Sequence, residues 1–302
     1  MWEPDPSWQH LPQATGPASV GVWLAEVDGR RWFVKRLARP RDEPHLLDPG
    51  HVGYWRREVD VAQHPAVVDG PGLVPTTFGT VEEDEAGATI WSLEVVGDPP
   101  PGLFVARALG RFAGTRVEPP RWASRELLRT RLVMAEARFG WPTLARTTLA
   151  DVADVLWRRR RHWLGLLEEG PQGRVHGDAA PANFLATRGD DVVAVDWQCF
   201  GHGPVGTDLG YFALSSREDF DVLLATFIDG LGGDTDPAAV TRAARVTAVY
   251  TVLSRAEWAL ASAARGEGAL AGKFRHPAVA PHLHAVQRQF AQIEHLLVRA
   301  GQ

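Results

Sequence analysis

The segment Val175–Leu185, with the sequence Val-His-Gly-Asp-Ala-Ala-Pro-Ala-Asn-Phe-Leu, decides the fold of this chain. It places Asp178 five residues before Asn183. The apolar run Val192–Val195 follows and leads directly to Asp196, thirteen residues after Asn183. One loop can therefore present Asp178 and Asn183 to the same cleft, while the end of an apolar strand fixes Asp196 beside them.

These residues, together with Asp196-Trp197-Gln198 and Thr207–Phe212, resemble the aminoglycoside phosphotransferase/choline kinase superfamily. Within it they look closest to the bacterial branch related to ecdysteroid-kinase-like proteins, in which the metal-binding aspartate lies in an Asp-Trp-Gln. The resemblance is strong across residues 174–212 and covers nearly the whole chain in layout. It implies an α+β, bilobal protein-kinase-like fold, with a small β-rich N-terminal lobe and a larger helical C-terminal lobe containing a β-hairpin.

The resemblance also implies a role for each residue of the motif. Phosphoryl transfer demands positioning and charge neutralisation more than covalent chemistry. Asp178 corresponds to the catalytic carboxylate, which orients the acceptor hydroxyl and accepts its proton. Asn183 and Asp196 match the two ligands of Mg²⁺, which needs oxygen donors while leaving room for phosphates and water. His176 completes the catalytic segment and, like Asp208, is expected to support its loop.

The N-terminal lobe should supply a lysine that holds the nucleotide phosphates and pairs with a glutamate on a helix. Lys35 ends the run Trp32–Lys35, and Glu58 lies on the next predicted helix, with Glu43 as its rival. Only two of the 32 basic residues are lysines, so a lysine at this position is informative. Arginine would not substitute freely for its compact ammonium.

The remaining nucleotide contacts are assigned from two segments. The best candidate for a glycine-rich phosphate loop is residues 15–21, in which Pro17 removes one backbone donor. The hinge that contacts the base is assigned by position to residues 94–96. The predicted contacts are Gly16, Ser19 and Val20 in the loop, and Glu94 and Val96 in the hinge.

Hydrophobic periodicity predicts two lobes, residues 1–97 and 98–302, divided at the three consecutive prolines 99–101. The N-terminal lobe should hold a hairpin around Asp28-Gly29, a helix at 52–63 and strands at 76–81 and 89–96. Helices are predicted at 103–114, 124–139, 149–169 and 217–231, and from residue 237 onward. Two short strands should flank the turn Gly189-Asp190.

Composition narrows the class of protein. A net charge of −5 argues against a nucleic-acid binder, which normally shows a basic excess. No apolar stretch reaches the length needed to span a bilayer, and residues 1–6 lack the pattern of a signal peptide. A single cysteine, Cys199, excludes an intramolecular disulfide. We therefore expect a cytoplasmic enzyme without a nucleic-acid or membrane partner, and the oligomeric state stays open.

The acceptor is less constrained by sequence, because a fold does not define a substrate. Residues 1–99 have a net charge of −8 and residues 100–302 a net charge of +3. A polycationic aminoglycoside would favour an acidic C-terminal lobe, so a neutral or weakly charged hydroxylated molecule fits better. Candidate acceptor contacts, with core packing as the competing role, are Tyr250, Arg255, Glu257 and Trp258.

Three functions remain open. The first is ATP- and Mg²⁺-dependent phosphorylation of a small-molecule hydroxyl, for example on an antibiotic, with GTP as the alternative donor. The second is metabolic phosphorylation of a sugar, amino sugar or choline-like alcohol. The third is a catalytically idle nucleotide-binding module. A protein kinase is disfavoured, because only eleven residues separate Asp196 from Asp208 and Asp-Trp-Gln replaces Asp-Phe-Gly.

Overall fold

A computed structural model describes residues 2–12, 18–233, 235–265, 272 and 275–298. The strands are β1 (Gln9–Leu11), β2 (Ser19–Val27), β3 (Arg30–Ala38), β4 (Leu73–Pro75), β5 (Phe78–Asp84), β6 (Gly87–Leu93), β7 (Gln172–Val175), β8 (Phe184–Arg188), β9 (Asp191–Ala194) and β10 (Gly201–Pro204). The helices are α1 (Arg57–Gln63), α2 (Gly102–Gly114), α3 (Leu127–Glu136), α4 (Ala150–Glu168), α5 (Thr207–Phe212), α6 (Phe220–Leu231), α7 (Pro237–Ala264), α8 (Ala280–Arg288) and α9 (Phe290–Val298). The α+β, two-lobed architecture is confirmed.

The N-terminal lobe is built on an antiparallel sheet with strand order β1-β2-β3-β6-β5. The predicted hairpin joins β2 to β3, and Asp28 and Gly29 have φ angles of 51° and 69°. Positive φ at both central residues is what the favoured two-residue hairpin turn requires. The register pairs Val22 with Lys35, which places the lysine in the middle of the sheet.

Both faces of this sheet are covered. On one face α1 packs against the strands through a cluster that includes Val59, Leu37 and Ile90. On the other face Trp23 and Val34 pack against tryptophans from the N-terminal segment and from β6. The sheet therefore holds Lys35 rigidly, with helix α1 directly beside it.

The C-terminal lobe contains the large core and the predicted hairpin β8–β9, which turns at Gly189. Strand β4, which precedes the prolines in the chain, pairs in parallel with β9. Strands β7 and β10 form a separate antiparallel pair. The boundary between the two lobes at residue 97 stays a prediction. Strand β4 lies before this boundary in the chain, yet it belongs to the sheet of the C-terminal lobe.

Three predicted helices are shorter than expected, and the one predicted at 217–231 begins at Phe220, where the Asp219 side chain caps its N-terminus. The helix predicted at 52–63 begins at Arg57, because carbonyls of the preceding turns wrap around the Arg57 side chain. The helix predicted at 124–139 begins only at Leu127, since the Ser124 N–H donates to the Phe200 carbonyl instead. Among the described residues, no helix combines the length and the apolar character needed to cross a membrane.

Candidate active site

The predicted catalytic loop, residues 176–178, follows the end of β7. It is held by hydrogen bonds to Asp208 of α5. The Asp208 carboxylate accepts the backbone N–H of His176 at 2.6 Å and that of Gly177 at 2.9 Å. Gly177 has a φ of 80°, and a Cβ there would lie 2.2 Å from the Cys199 carbonyl oxygen. Glycine is therefore required at this position, and Asp208 fixes the loop as the motif implied.

His176 is fully buried and serves the loop as a positioning residue. Its Nε2 lies 2.9 Å from the Val195 carbonyl oxygen, and its ring centroid lies 4.7 Å from that of Trp197. A carbonyl can only accept, so Nε2 bears the proton and Nδ1 accepts from the Asp178 N–H at 3.4 Å. The imidazole thus ties the catalytic loop to the residue that precedes Asp196.

Asp178 and Asn183 meet as the spacing predicted. The Asn183 side-chain amide donates to the Asp178 carbonyl at 2.8 Å and lies 3.3 Å from the Asp178 carboxylate. Both bonds use the amide nitrogen, so the amide oxygen of Asn183 keeps its capacity as a donor atom for a metal. The Val195 N–H donates to the Asn183 carbonyl at 3.0 Å, which ties Asn183 to the end of β9.

Asp196 follows β9 in a left-handed conformation with a φ of 63°. Its carboxylate receives the Lys35 ammonium at 2.9 Å, and the same ammonium lies 2.6 Å from the Glu58 carboxylate. Glu43, the rival partner, is exposed and lies 3.8 Å from His45 instead. Lys35 therefore bridges the helix of one lobe and the metal-ligand candidate of the other.

The electrostatics of this bridge keep the lysine charged. Burial acts to lower the pKa of Lys35, but the charges of Glu58 and Asp196 raise the pKa above its ordinary value. Burial raises the pKa of Glu58, and Lys35 opposes that rise. The result is a protonated ammonium held between two carboxylates.

The predicted loop and hinge contacts are only partly described. Gly16 lies outside the described residues. Ser19 and Val20 open β2, where the Ser19 hydroxyl is buried without a hydrogen-bond partner among the described residues and Val20 is exposed. In the hinge, the Glu94 N–H donates to the Arg31 carbonyl at 2.9 Å and its carboxylate pairs with Arg31, while Val96 is exposed.

Val95, between the two predicted hinge residues, was not singled out by sequence reasoning. It packs against a small apolar cluster formed by Val74 of β4, Ala186 of β8 and Val193 of β9. This cluster provides an apolar surface where the N-terminal segment meets the C-terminal hairpin. Val74 lies 112 residues before Ala186 in the chain, so no local pattern marks the cluster in advance.

Arg57 is a second residue that sequence reasoning missed. Its guanidinium is buried and donates to carbonyl oxygens of Pro49, His51, Val52, Trp122 and Gln198 at 2.7–2.9 Å. Burial lowers the pKa of Arg57 to about 10. Because Gln198 follows Asp196 by two residues, Arg57 joins the start of the Glu58 helix to the metal-ligand segment.

The four candidate acceptor contacts on α7 divide into two pairs. The Tyr250 hydroxyl donates to the Leu156 carbonyl at 2.7 Å, and the Glu257 carboxylate accepts the N–H groups of Thr143 and Leu144 at 3.0 and 2.7 Å. These two side chains support the core. The other two, Arg255 and Trp258, line a cavity of about 250 Å³ between α3 and α7.

Tyr211, which also lines this cavity, connects it to the catalytic loop. Its hydroxyl accepts a hydrogen bond from Arg255. Burial raises the pKa of Tyr211 to about 12, with a contribution from the nearby charge of Asp178, so the hydroxyl stays protonated at neutral pH. Arg131, which also lines the cavity, donates to the Gly177 carbonyl, so the cavity lies close to the predicted catalytic loop.

Comparison with known proteins gives a family match and several structures of similar fold. Residues 11–241 match the model of a phosphotransferase enzyme family. A search of curated proteins finds no match.

Solved structures share the fold at low sequence identity. Choline kinase LicA from Streptococcus pneumoniae superposes with a TM-score of 0.59 at 14% identity, covering 94% of this chain and 93% of that one. Aminoglycoside phosphotransferase APH(3'')-Id from Streptomyces rimosus, in complex with ADP and streptomycin, gives 0.54 at 16% identity, covering 80% and 91%. The GDP and kanamycin complex of APH(2")-IIIa gives 0.59 at 12% identity, covering 95% and 93%.

Proposed function

This chain belongs to the phosphotransferase enzyme family, and from that premise we propose that it transfers the γ-phosphoryl group of ATP to a hydroxyl of a small molecule, with Mg²⁺. The observation that carries the proposal is the Lys35 ammonium held at 2.6 Å from Glu58 and 2.9 Å from Asp196. This arrangement supports the proposal, because an ammonium can bind phosphate and the carboxylate beside it is of the kind that binds Mg²⁺; the contact also joins both lobes of the fold.

The residues present fit a magnesium ion. Asp196 offers a carboxylate and Asn183 an amide oxygen, both hard oxygen donors of the kind that Mg²⁺ prefers. Among the described residues, no three His, Cys, Asp or Glu side chains cluster to form a metal site on their own. Two protein ligands completed by phosphate oxygens and water are the usual arrangement for Mg²⁺ at a nucleotide. The ion would neutralise charge on the phosphates.

The chain's own residues then divide the work of the reaction. Lys35 binds phosphate oxygens, and the apolar cluster around Val95 offers a surface for the nucleotide base. Asp178 accepts the proton of the acceptor hydroxyl as its oxygen forms a bond to the γ-phosphorus. The bond from the γ-phosphorus to the bridging oxygen breaks, and the electron pair leaves with ADP. The products are ADP and a phosphate monoester.

The proposed nucleotide donor rests on the nucleotides bound in structures of similar fold. Neighbours of this fold were solved with ADP or with GDP, so ATP is proposed with GTP as the alternative. The intact set of Lys35, Asp178, Asn183 and Asp196 favours an active enzyme over an idle binding module. Neighbours were also solved with streptomycin and kanamycin, which supports a small hydroxylated acceptor as the general class.

The test is ADP release from Mg-ATP across a panel of aminoglycosides, macrolides, nucleosides, amino sugars, sugars and choline. The same panel is run with Asp178→Ala. We expect at least one acceptor to stimulate release, and the variant to lose about 10²- to 10⁴-fold of that rate while binding nucleotide normally. Equal turnover in the variant would remove Asp178 from its role, and bound nucleotide without turnover would favour the idle module.

A further inference from the structure

The cavity between α3 and α7 differs from the rest of the site in its charge. The residues lining it include Arg131, Arg138 and Arg255, and no aspartate or glutamate among those the structure describes. Its volume of about 250 Å³ lies below the roughly 300–1,000 Å³ of pockets for drug-sized ligands. The lining therefore favours a small ligand with at least one negative charge.

None of these three arginines forms an ion pair with a described carboxylate. Arg131 donates to the Gly177 carbonyl at 3.2 Å, Arg255 donates to the Tyr211 hydroxyl, and Arg138 is exposed. Other arginines of the chain do pair with acids: Arg31 with Glu94, Arg36 with Asp84, Arg111 with Asp191 and Arg158 with Asp154. What distinguishes this cavity is that three guanidinium groups line it together, with no described carboxylate among its lining residues.

Two of the guanidinium groups are held in place by Tyr211. The Arg255 guanidinium carbon lies 4.3 Å from the centre of the Tyr211 ring, and that of Arg131 lies 5.1 Å away. Stacking and one hydrogen bond each fix the planar groups, and each guanidinium has five N–H donors. Donors remain available for a ligand, in the planar arrangement that matches carboxylate and phosphate oxygens.

Further polar groups on α7 share this face. Thr251, Ser254, Arg255 and Trp258 follow the spacing of one helix face and all line the cavity. The hydroxyls of Thr251 and Ser254 are buried and have no hydrogen-bond partner among the described residues. Buried polar groups are nearly always satisfied, so these hydroxyls are suited to a polar ligand or to water.

We propose, resting on the kinase function above, that the acceptor is a small hydroxylated molecule with an anionic group, a carboxylate or a phosphate. Its anionic group binds Arg138 and Arg255, and its hydroxyl lies at Asp178. The proton of the hydroxyl passes to Asp178, the oxygen takes the γ-phosphoryl group, and ADP leaves. Cationic acceptors are disfavoured, because like charges in a cavity repel.

Matched pairs of acceptors test the charge preference. ADP release from Mg-ATP is measured with glucose 6-phosphate against glucose and with gluconate against sorbitol. Kanamycin and choline serve as cationic acceptors. We expect kcat/KM to be at least about tenfold higher for the anionic member of a pair, since hydrogen bonds to charged groups contribute that much. The two pairs separate phosphate from carboxylate recognition.

A variant of Arg138 tests whether the preference for anionic acceptors comes from this cavity. Arg138→Gln should raise KM for the anionic acceptor about tenfold and leave kcat nearly unchanged, because Arg138 is exposed and binds the ligand rather than the reacting atoms. Arg158→Gln is the matched control: Arg158 is also exposed, but it pairs with Asp154 within α4. Its KM should equal that of the unaltered enzyme.

Binding measurements distinguish a failure of the anionic-acceptor proposal from a failure of the proposed kinase function. Calorimetry with glucose 6-phosphate, gluconate and their neutral partners is run on the ADP-bound protein, with and without Arg138→Gln. Anion-selective binding that the variant weakens supports the cavity's role even if no turnover occurs, in which case the kinase function fails alone. Asp178-dependent turnover of a neutral or cationic acceptor preserves the kinase function and overturns the anionic acceptor. Binding without preference for the anions also overturns it.

Discussion

The two sides of the cleft are built on opposite electrostatic principles. On the nucleotide side the acids Glu58 and Asp196 meet one lysine at distances below 3 Å. On the acceptor side three arginines line a cavity without a described carboxylate among its walls. On the nucleotide side the one cation is already paired with two carboxylates, whereas the acceptor side holds positive charge that a ligand can neutralise.

The difference separates what the family shares from what distinguishes this member. The nucleotide side contains most of the motif through which the chain resembles its superfamily, and the chemistry proposed for it does not depend on the acceptor. The acceptor side belongs to helices α3 and α7, whose facing residues have no counterpart in the motif. Specificity of this enzyme is therefore expected to follow the arginines rather than the catalytic loop.

The largest expected effect concerns the acid of the nucleotide side. Asp196→Asn should weaken Mg²⁺-dependent nucleotide binding about 100-fold, equivalent to about 2.7 kcal/mol, because the metal loses a charged ligand. Asparagine tolerates the left-handed backbone at this position, so the fold should persist. Titration with Mg-ADP measures the change, and titration in EDTA is the control. Unchanged affinity with Mg²⁺ would remove Asp196 as a ligand.

The second-largest expected effect tests whether the Glu257 carboxylate supports the core rather than the acceptor cavity. Glu257→Ala should lower the free energy of unfolding by about 2 kcal/mol, since two backbone N–H groups lose their acceptor. Glu257→Gln retains an acceptor and should lose less. Urea denaturation measures both. Unchanged stability together with a raised acceptor KM would place Glu257 in the pocket and break the charge contrast.

A smaller effect is expected at the lysine that joins the lobes. Lys35→Arg preserves the charge but not the compact ammonium between Glu58 and Asp196, so nucleotide affinity should fall about tenfold, or about 1.4 kcal/mol. Lys35→Met, which removes the charge as well, should lose more. Equal affinity for Lys35→Arg and the unaltered protein would show that only the charge matters there.

The nucleotide side was largely predictable because its residues are close in sequence or obey local patterns. Asp178, Asn183 and Asp196 lie within one loop and hairpin, and Lys35 lies in a strand that the hairpin pattern around Asp28-Gly29 predicts. Arg57 was missed because its role depends on five carbonyls that only the folded chain brings together. Strands β1, β4, β7 and β10 were missed because three or four residues are too few to show alternation.

The acceptor side was not predictable in the same way. Arg131 and Arg255 lie 124 positions apart, and only the packing of α3 against α7 brings them to one cavity. The net charge of the C-terminal lobe indicated the sign of the pocket but not its place. On α7, sequence alone could not separate Arg255 and Trp258 from Tyr250 and Glu257, because all four lie within two turns of one largely apolar helix.

The smallest expected effect tests whether Tyr250 belongs to the core rather than to the acceptor cavity. Tyr250→Phe removes a buried hydrogen bond to the Leu156 carbonyl and should lower the free energy of unfolding by about 1 kcal/mol. Acceptor KM should not change, because Tyr250 faces the core and not the cavity that Arg255 lines. Urea denaturation and initial rates measure the two quantities on the same preparation. A changed KM at unchanged stability would mean that the acceptor depends on Tyr250. The assignment of Tyr250 to the core would then be wrong.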